Sequence, residues 1–225
     1  MPALIKEGPV WTLDLGGDEN RFSPDFLTEV DTALDEIAGS TEPAVLLTTG
    51  SDKFFSNGLD LEWVMAHPGE LPTYVDRIHA MFAKVLTLPV PTVAAINGHA
   101  FGGGAMLAIA HDYRVMRDDR GFFCFPEVDI LIPFTAGMNA LIVAKTTPQT
   151  QVASMTTGRR WGGAEAAAAG LVDEATSLDE LRAAAEAKVV HLAGKDRRTL
   201  GRIKQVLYAG AVDALLTPQP ADLTF

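Results

Sequence analysis

Pro89-Val90-Pro91-Thr92-Val93-Ala94-Ala95-Ile96-Asn97-Gly98-His99-Ala100-Phe101-Gly102-Gly103-Gly104 runs directly into the apolar segment 105–110. Two prolines bar a helix before Thr92. Residues 92–96 have the length and β-branching of a buried strand, and Asn97-Gly98 marks a turn. Three glycines then open a helix. A strand that stops at a Gly-lined helix N-terminus leaves backbone N–H groups with no Cβ to block them, which suits an anion or a developing oxyanion.

Working outward, residues 4–15 read as a hairpin around Gly8-Pro9, with Trp11, Leu13 and Leu15 alternating against Thr12 and Asp14. Ser23-Pro24 supplies an N-cap and a first-turn proline, and Phe26, Leu27, Val30, Leu34 and Ile37 recur at helical spacing up to Gly39. A short apolar strand at 44–48 ends at Gly50. Phe54-Phe55-Ser56-Asn57-Gly58-Leu59-Asp60-Leu61 follows as a loop where α/β proteins place ligand-binding backbone. Val75, Ile78, Phe82 and Val85 predict an amphipathic helix over 73–88 that leads into the central stretch. Residues 113–116 and 122–125 read as strands, and Pro126-Glu127-Val128-Asp129 follows at once.

From Pro148 the chain is predicted mostly helical: 164–169 capped by Gly170, a short strand Leu171-Val172, a capping box Ser177-Leu178-Asp179-Glu180 opening a helix to 192, and a last helix over 199–208. Strand-helix alternation followed by helices predicts an α/β core over 1–172 and a helical C-terminal segment over 173–225.

The 225 residues, 48% hydrophobic, suffice for a full core. A net charge of −11 argues against a nucleic-acid partner, which needs clustered Lys and Arg. No apolar run is long enough to span a bilayer and the start has no basic leader, so no membrane partner and a cytoplasmic location are expected. The single cysteine, Cys124, lies among Phe122, Phe123 and Phe125 and reads as a buried small hydrophobe. Lys195, Arg197, Arg198, Arg202 and Lys204 form one basic cluster, either a solvated helix face or a landing site for an anionic ligand.

The spacing G-x-x-x-G-G-G is not the dinucleotide fingerprint, and no phosphate loop or nucleophile elbow is present. The five histidines never pair at metal-ligand spacing, so no metal is expected; His99 and His111 read as structural. Glu127, between a proline and apolar neighbours, has two readings. It is a helix-initiating acid behind Pro126, or a partly buried carboxyl whose pKa desolvation raises toward the range of a general base.

Phe55-Ser56-Asn57-Gly58-Leu59-Asp60-Leu61, the stretch from Pro91 through Gly104, Asp112-Tyr113-Arg114-Val115, residues 123–129 and Ala169-Gly170-Leu171-Val172 together resemble, in order, the crotonase (enoyl-CoA hydratase/isomerase) superfamily. The resemblance implies a spiral of ββα turns with a shortened helical C-terminal part, a homotrimer or dimer of trimers, and an acyl-CoA thioester substrate. No cofactor beyond that coenzyme A is implied. It also implies an oxyanion hole from the backbone N–H of Leu59 and of Gly103, with Asn57, Gly58, Asp60, Gly102 and Met106 around the substrate. Hydratases of the superfamily carry one Glu two residues after the glycine triplet and a second in the Pro-Glu pair; here those places hold Met106 and Glu127. A thioether cannot activate water. The single Glu127 resembles the Δ3,Δ2-enoyl-CoA isomerases, with a hydratase or a non-catalytic acyl-CoA-binding protein as alternatives. Asp129 reads as structural, Leu131 stands where relatives often have glycine, and Leu223-Thr224-Phe225 does not read as a peroxisomal signal.

Overall fold

The computed structural model describes residues 1–224; Phe225, the end of that C-terminal tripeptide, lies outside the described residues. The predicted hairpin is β1 (Ala3–Glu7) and β2 (Val10–Asp14), turning at Gly8. Helix α1 (Pro24–Gly39) starts where expected, the Ser23 hydroxyl accepting the Phe26 N–H at 3.2 Å. Then come β3 (Val45–Thr49), β4 (Phe54–Ser56), α2 (Leu61–Ala66), α3 (Leu71–Thr87), β5 (Thr92–Ile96), β6 (His99–Phe101), α4 (Gly103–Ala110), β7 (Tyr113–Arg117) and β8 (Phe123–Cys124). The chain closes with α5 (Ala136–Lys145), α6 (Pro148–Met155), α7 (Gly163–Ala168), β9 (Glu174–Thr176), α8 (Leu178–Val189), α9 (Arg197–Leu207) and α10 (Ala209–Leu216).

Two sheets result. One runs β1-β2-β3-β5-β7-β9, antiparallel only between β1 and β2; the other is the short parallel set β4-β6-β8. Each pair β3-β4, β5-β6 and β7-β8 therefore places one strand in each sheet before the chain returns through helices. That is a spiral of three ββα turns.

Strand alternation divides the apolar side chains of the large sheet between two cores. Trp11, Leu13, Leu46, Ala94, Ile96 and Met116 face the main core, with α1, α3, α4 and α5. Val45, Leu47, Val93, Ala95 and Val115 face α8 through Leu181, Ala185 and Val189. Strand β5 is buried on both faces, as its unbroken apolar run requires.

Three expectations need correction. Leu171-Val172 is not a strand: the Leu171 and Val172 amides close α7 on the Ala166 carbonyl, and the strand follows at β9. Asp173 exchanges bonds with Arg114 there, its carboxylate accepting the Arg114 N–H at 2.7 Å. The boundary at 172 consequently cuts one packed unit, because β9 pairs with β7 and α8 covers the large sheet. Nor does Ser177 form a capping box. Its side chain caps nothing, and the Glu180 carboxylate accepts instead from the Thr176 hydroxyl at 3.0 Å.

The basic cluster is not one patch: Lys195, Arg198 and Arg202 are exposed, and the other two are engaged by neighbouring segments. Lys204 is buried, donating to the Asp112 carboxylate at 2.6 Å and the Val90 carbonyl at 2.8 Å. Arg197 reaches the carbonyls of Ile37 and Glu42, tying α9 to the end of α1.

Candidate active site

Helix α4 begins against the loop after β4, and the approach is close enough to demand glycine. A Cβ on Gly104 would sit 2.2 Å from the Ser56 carbonyl oxygen; one on Gly58, where φ is +74°, would sit 2.6 Å from the Gly103 nitrogen. The loop is held from its other side by residues 19–22. The Asn57 N–H donates to the Glu19 carbonyl and the Phe22 N–H to the Gly58 carbonyl, both at 2.8 Å, while the Ser56 hydroxyl donates to the Asn20 carbonyl at 2.7 Å.

This bracing leaves two amides side by side and unused. The Leu59 N–H has no hydrogen-bond partner among the described residues. Gly103 is the first residue of α4, with no helical carbonyl one turn earlier to receive its N–H.

Both residues line a cavity of about 460 Å³ that also receives Asn57, Phe101, Gly102, Pro126, Glu127, Ile130, Ile132 and Met138. Glu127 lies on a turn rather than a helix, the Asp129 N–H reaching back to the Pro126 carbonyl at 2.8 Å and the Ile132 N–H to the Glu127 carbonyl at 3.0 Å. It therefore initiates no helix. Its residue is 6% exposed, Oε1 is 3.4 Å from where a Gly102 Cβ would stand, and Oε2 is buried without a partner among the described residues. Burial pushes the carboxyl up to about 7, opposed by the residue's own backbone amide. A carboxylate beside two free amides in a small, mostly apolar cavity can move a proton at a carbon whose neighbouring oxygen becomes anionic.

Of the sequence-predicted residues, Leu59, Asn57, Gly102, Gly103 and Glu127 line the cavity together. Gly58 is buried behind the wall, supporting the close approach. Asp60 and Met106 stand elsewhere. The Asp60 carboxylate caps α2 by accepting the Trp63 N–H at 3.1 Å, and its amide donates to the Tyr74 hydroxyl at 2.8 Å. Met106 is fully buried in the main core, on a helix buried all round, and does not line the cavity. Asp129 also stays outside, against Gly158.

Sequence reasoning missed Arg21, Glu62, Arg160 and the apolar floor of Ile130, Ile132 and Met138. Glu62 is a second carboxylate on the wall, but it is solvated and paired with Arg21 at 3.4 Å. Cys124 is buried as expected, its thiol donating to the Gly158 carbonyl, yet it also lines the cavity. His111 is structural as read. Its ring bonds the Leu107 carbonyl and the Thr48 hydroxyl, and burial pulls it down to about 4.

Similarity to known proteins agrees with this architecture. "Enoyl-CoA delta isomerase 3" of Arabidopsis thaliana is 41% identical over 185 residues, 78% of this chain and 76% of that protein. "Enoyl-CoA delta isomerase 2, peroxisomal" of the same plant is 39% identical over 78% of this chain and 77% of its own. A relative named peroxisomal lends no support to the expected cytoplasmic location; no helix among the described residues is long and apolar enough to cross a membrane. Among solved structures, an enoyl-CoA hydratase/isomerase family protein from Pseudomonas syringae superposes with a TM-score of 0.88 at 25% identity, covering 95% of this chain and 93% of that one. The human mitochondrial delta3-delta2-enoyl-CoA isomerase shares the fold, with a TM-score of 0.88 at 20% identity over 96% of this chain and 86% of its own. The sequence matches the family described as Enoyl-CoA hydratase/isomerase over residues 10–224, and with the crotonase-type spiral of ββα turns this places the chain in that family.

Proposed function

We propose that the protein is an enoyl-CoA isomerase that moves a double bond from C3 to C2 of an acyl-CoA thioester. The relatives named enoyl-CoA delta isomerases support the reaction. The observation that carries it is Glu127, the one deeply buried carboxylate of the cavity, with Oε2 unpartnered in the cavity that Leu59 and Gly103 also line.

The ionised Glu127 takes a proton from C2 of a 3-enoyl-CoA. The C2–H bonding pair shifts to give a dienolate, whose oxygen accepts from the Leu59 and Gly103 N–H groups; each such donor supplies about 3–4 kcal/mol in a dry site. Protonated Glu127 then returns the proton to C4, which leaves the double bond between C2 and C3. Atoms balance within the substrate, so the proposed reaction needs no cofactor beyond the coenzyme A it carries. Asn57 and Gly102 contribute wall, while Gly58, Asp60 and Met106 act through the backbone and the core rather than by touching the substrate. A homotrimer or dimer of trimers is proposed as the assembly; exposed Ile203, Val206 and Leu207 on α9 offer an apolar face for it.

The test incubates the protein with a trans-3-enoyl-CoA and follows the conjugated product. Conversion that Glu127→Gln abolishes is expected. Conversion that persists in the variant refutes Glu127 as the base, and hydration of a trans-2-enoyl-CoA at a comparable rate refutes the isomerase assignment.

A further inference from the structure

Two consecutive peptide units flank the Leu59 Cα, and a different part of the chain holds each. The first joins Gly58 to Leu59. Its carbonyl accepts the Phe22 N–H at 2.8 Å, and because a trans peptide is planar, that bond points the Leu59 N–H of the same unit away from Phe22. The second unit joins Leu59 to Asp60. Its N–H donates to the hydroxyl of Tyr74, on α3, at 2.8 Å.

Tyr74 is 2% exposed and does not line the cavity that Leu59 and Gly103 share. Its hydroxyl has no other partner among the described residues. Its ring packs on Trp63 with centroids 5.1 Å apart, and the Trp63 N–H is the donor that the Asp60 carboxylate caps. Both polar groups of Asp60 are therefore fixed, the amide by α3 and the carboxylate by α2. Burial holds the phenol well above its ordinary value, so it accepts the Asp60 amide as a neutral group and brings no negative charge to a site that has to stabilise one.

We infer that Tyr74 is a positioning residue for the oxyanion hole: by holding the Asp60 amide it fixes the Leu59–Asp60 peptide and thereby aims the Leu59 N–H at the thioester oxygen. This rests on the isomerase reading for the charge that develops there. One hydrogen bond leaves a peptide unit free to swing about that bond, and Gly58, at φ +74°, has no side chain to resist the swing. Pinning the next unit as well removes that freedom. A donor fixed before the reaction gains its full effect on the developing anion, whereas one that must first reorient loses part of it.

Tyr74→Phe removes the hydroxyl and keeps the ring. With a trans-3-enoyl-CoA the variant's kcat falls at least about tenfold, part of the loss expected for a missing oxyanion donor, while KM stays within about twofold of the wild type. The pH at which the rate levels stays the same, because Glu127 is untouched. Two binding measurements need no turnover. Cinnamoyl-CoA, which has no C4 hydrogen to lose, absorbs at longer wavelength when donors polarise its carbonyl; the wild type shifts the band and the variant shifts it less. By calorimetry the wild type binds a saturated acyl-CoA thioester more tightly than the S-alkyl thioether of equal length, which lacks the carbonyl. The variant loses most of that preference with its thioether Kd unchanged, whereas a general packing defect weakens both ligands alike. Circular dichroism and Tm confirm that the variant is folded. Wild-type kcat and band shift in Tyr74→Phe overturn the inference, as does a parallel weakening of thioester and thioether, or a wild type that shifts no band. A band shift that Tyr74→Phe diminishes in a protein that isomerises nothing refutes the isomerase reading and leaves the positioning role in place.

Discussion

Replacing Glu127 with glutamine separates what the residue does for chemistry from what it costs the fold. Its carboxyl titrates near 7 in the folded chain against an ordinary value of 4.5, because burial disfavours the charge and Oε2 has no partner to offset that. The folded state thus holds the proton more tightly than the unfolded one. Stability from this group is complete below about pH 4.5, falls as pH rises to about 7, and stays low above that. A shift of this size corresponds to about 3 kcal/mol, or roughly 6–12 °C in Tm for a chain of this length. Glutamine has nearly the same shape and no charge to bury. Thermal unfolding of both proteins from pH 5 to pH 8 should show the variant gaining on the wild type by most of that amount, while isomerisation falls roughly hundred- to ten-thousandfold. In the wild type kcat/KM should climb with pH up to about 7 and then level, since the base must be ionised. A stability difference that is flat across the pH range, or a flat rate profile in the wild type, would falsify the assignment of a desolvated base.

The remaining expectations concern the scaffold. Gly58→Ala puts a methyl group 2.6 Å from the Gly103 nitrogen in a left-handed backbone position; kcat should drop with the displaced amide and Tm should fall, and a variant with wild-type kinetics counts against that amide as a donor. Leu131→Asn relieves a strained φ without the chain entropy of glycine, so Tm should rise by a few degrees in differential scanning calorimetry. Lys204→Ala leaves the half-buried Asp112 carboxylate without its cation, which should cost about 1–3 kcal/mol in urea titrations. Its KM for the CoA thioester should stay near the wild-type value, because Lys204 lines a different cleft from the one holding Glu127.

What the sequence disclosed follows from how locally each feature is encoded. The Thr92–Ile96 strand, the glycine-opened helix and the Ser23-Pro24 helix start are written in consecutive residues, and the structure places them as read. The juxtaposition of Leu59 with Gly103 depends instead on two loops 44 positions apart in the numbering, and the family resemblance supplied it before any spacing could. Met106 shows the limit of that transfer. Its position in the motif pointed to the substrate, but a helix as uniformly apolar as α4 has no solvent side, and which face meets the cavity is a tertiary matter. Lys204 misled for a related reason. Charge runs normally face water, and only the arrival of Asp112 and the Val90 carbonyl from distant segments makes a buried ammonium tolerable. The apolar floor of Ile130, Ile132 and Met138 had no signal at all, since exposed and cavity-lining aliphatics look alike in one dimension.

The two ends of α4 explain how its first amides can stay available. At the C-terminal end three of the last four carbonyls receive a donor, Leu107 from the His111 ring, Ala108 from the His111 N–H and Ile109 from the Arg114 guanidinium, and the Arg114 guanidinium and the Lys145 ammonium both reach the next carbonyl, that of His111. Arg114 is buried and Lys145 nearly so. Desolvation first, and then the neighbouring guanidinium, lowers Lys145 to about 8, so the cluster is held at some cost. Two cations at a helix C-terminus offset the negative end of its dipole, an interaction worth about 0.3–2 kcal/mol each. At the N-terminal end Gly102 offers no capping side chain, and the glycines keep the amides open. An eight-residue helix compensated at one end and bare at the other directs its positive end at the cavity, which is where a dienolate oxygen gains most from it.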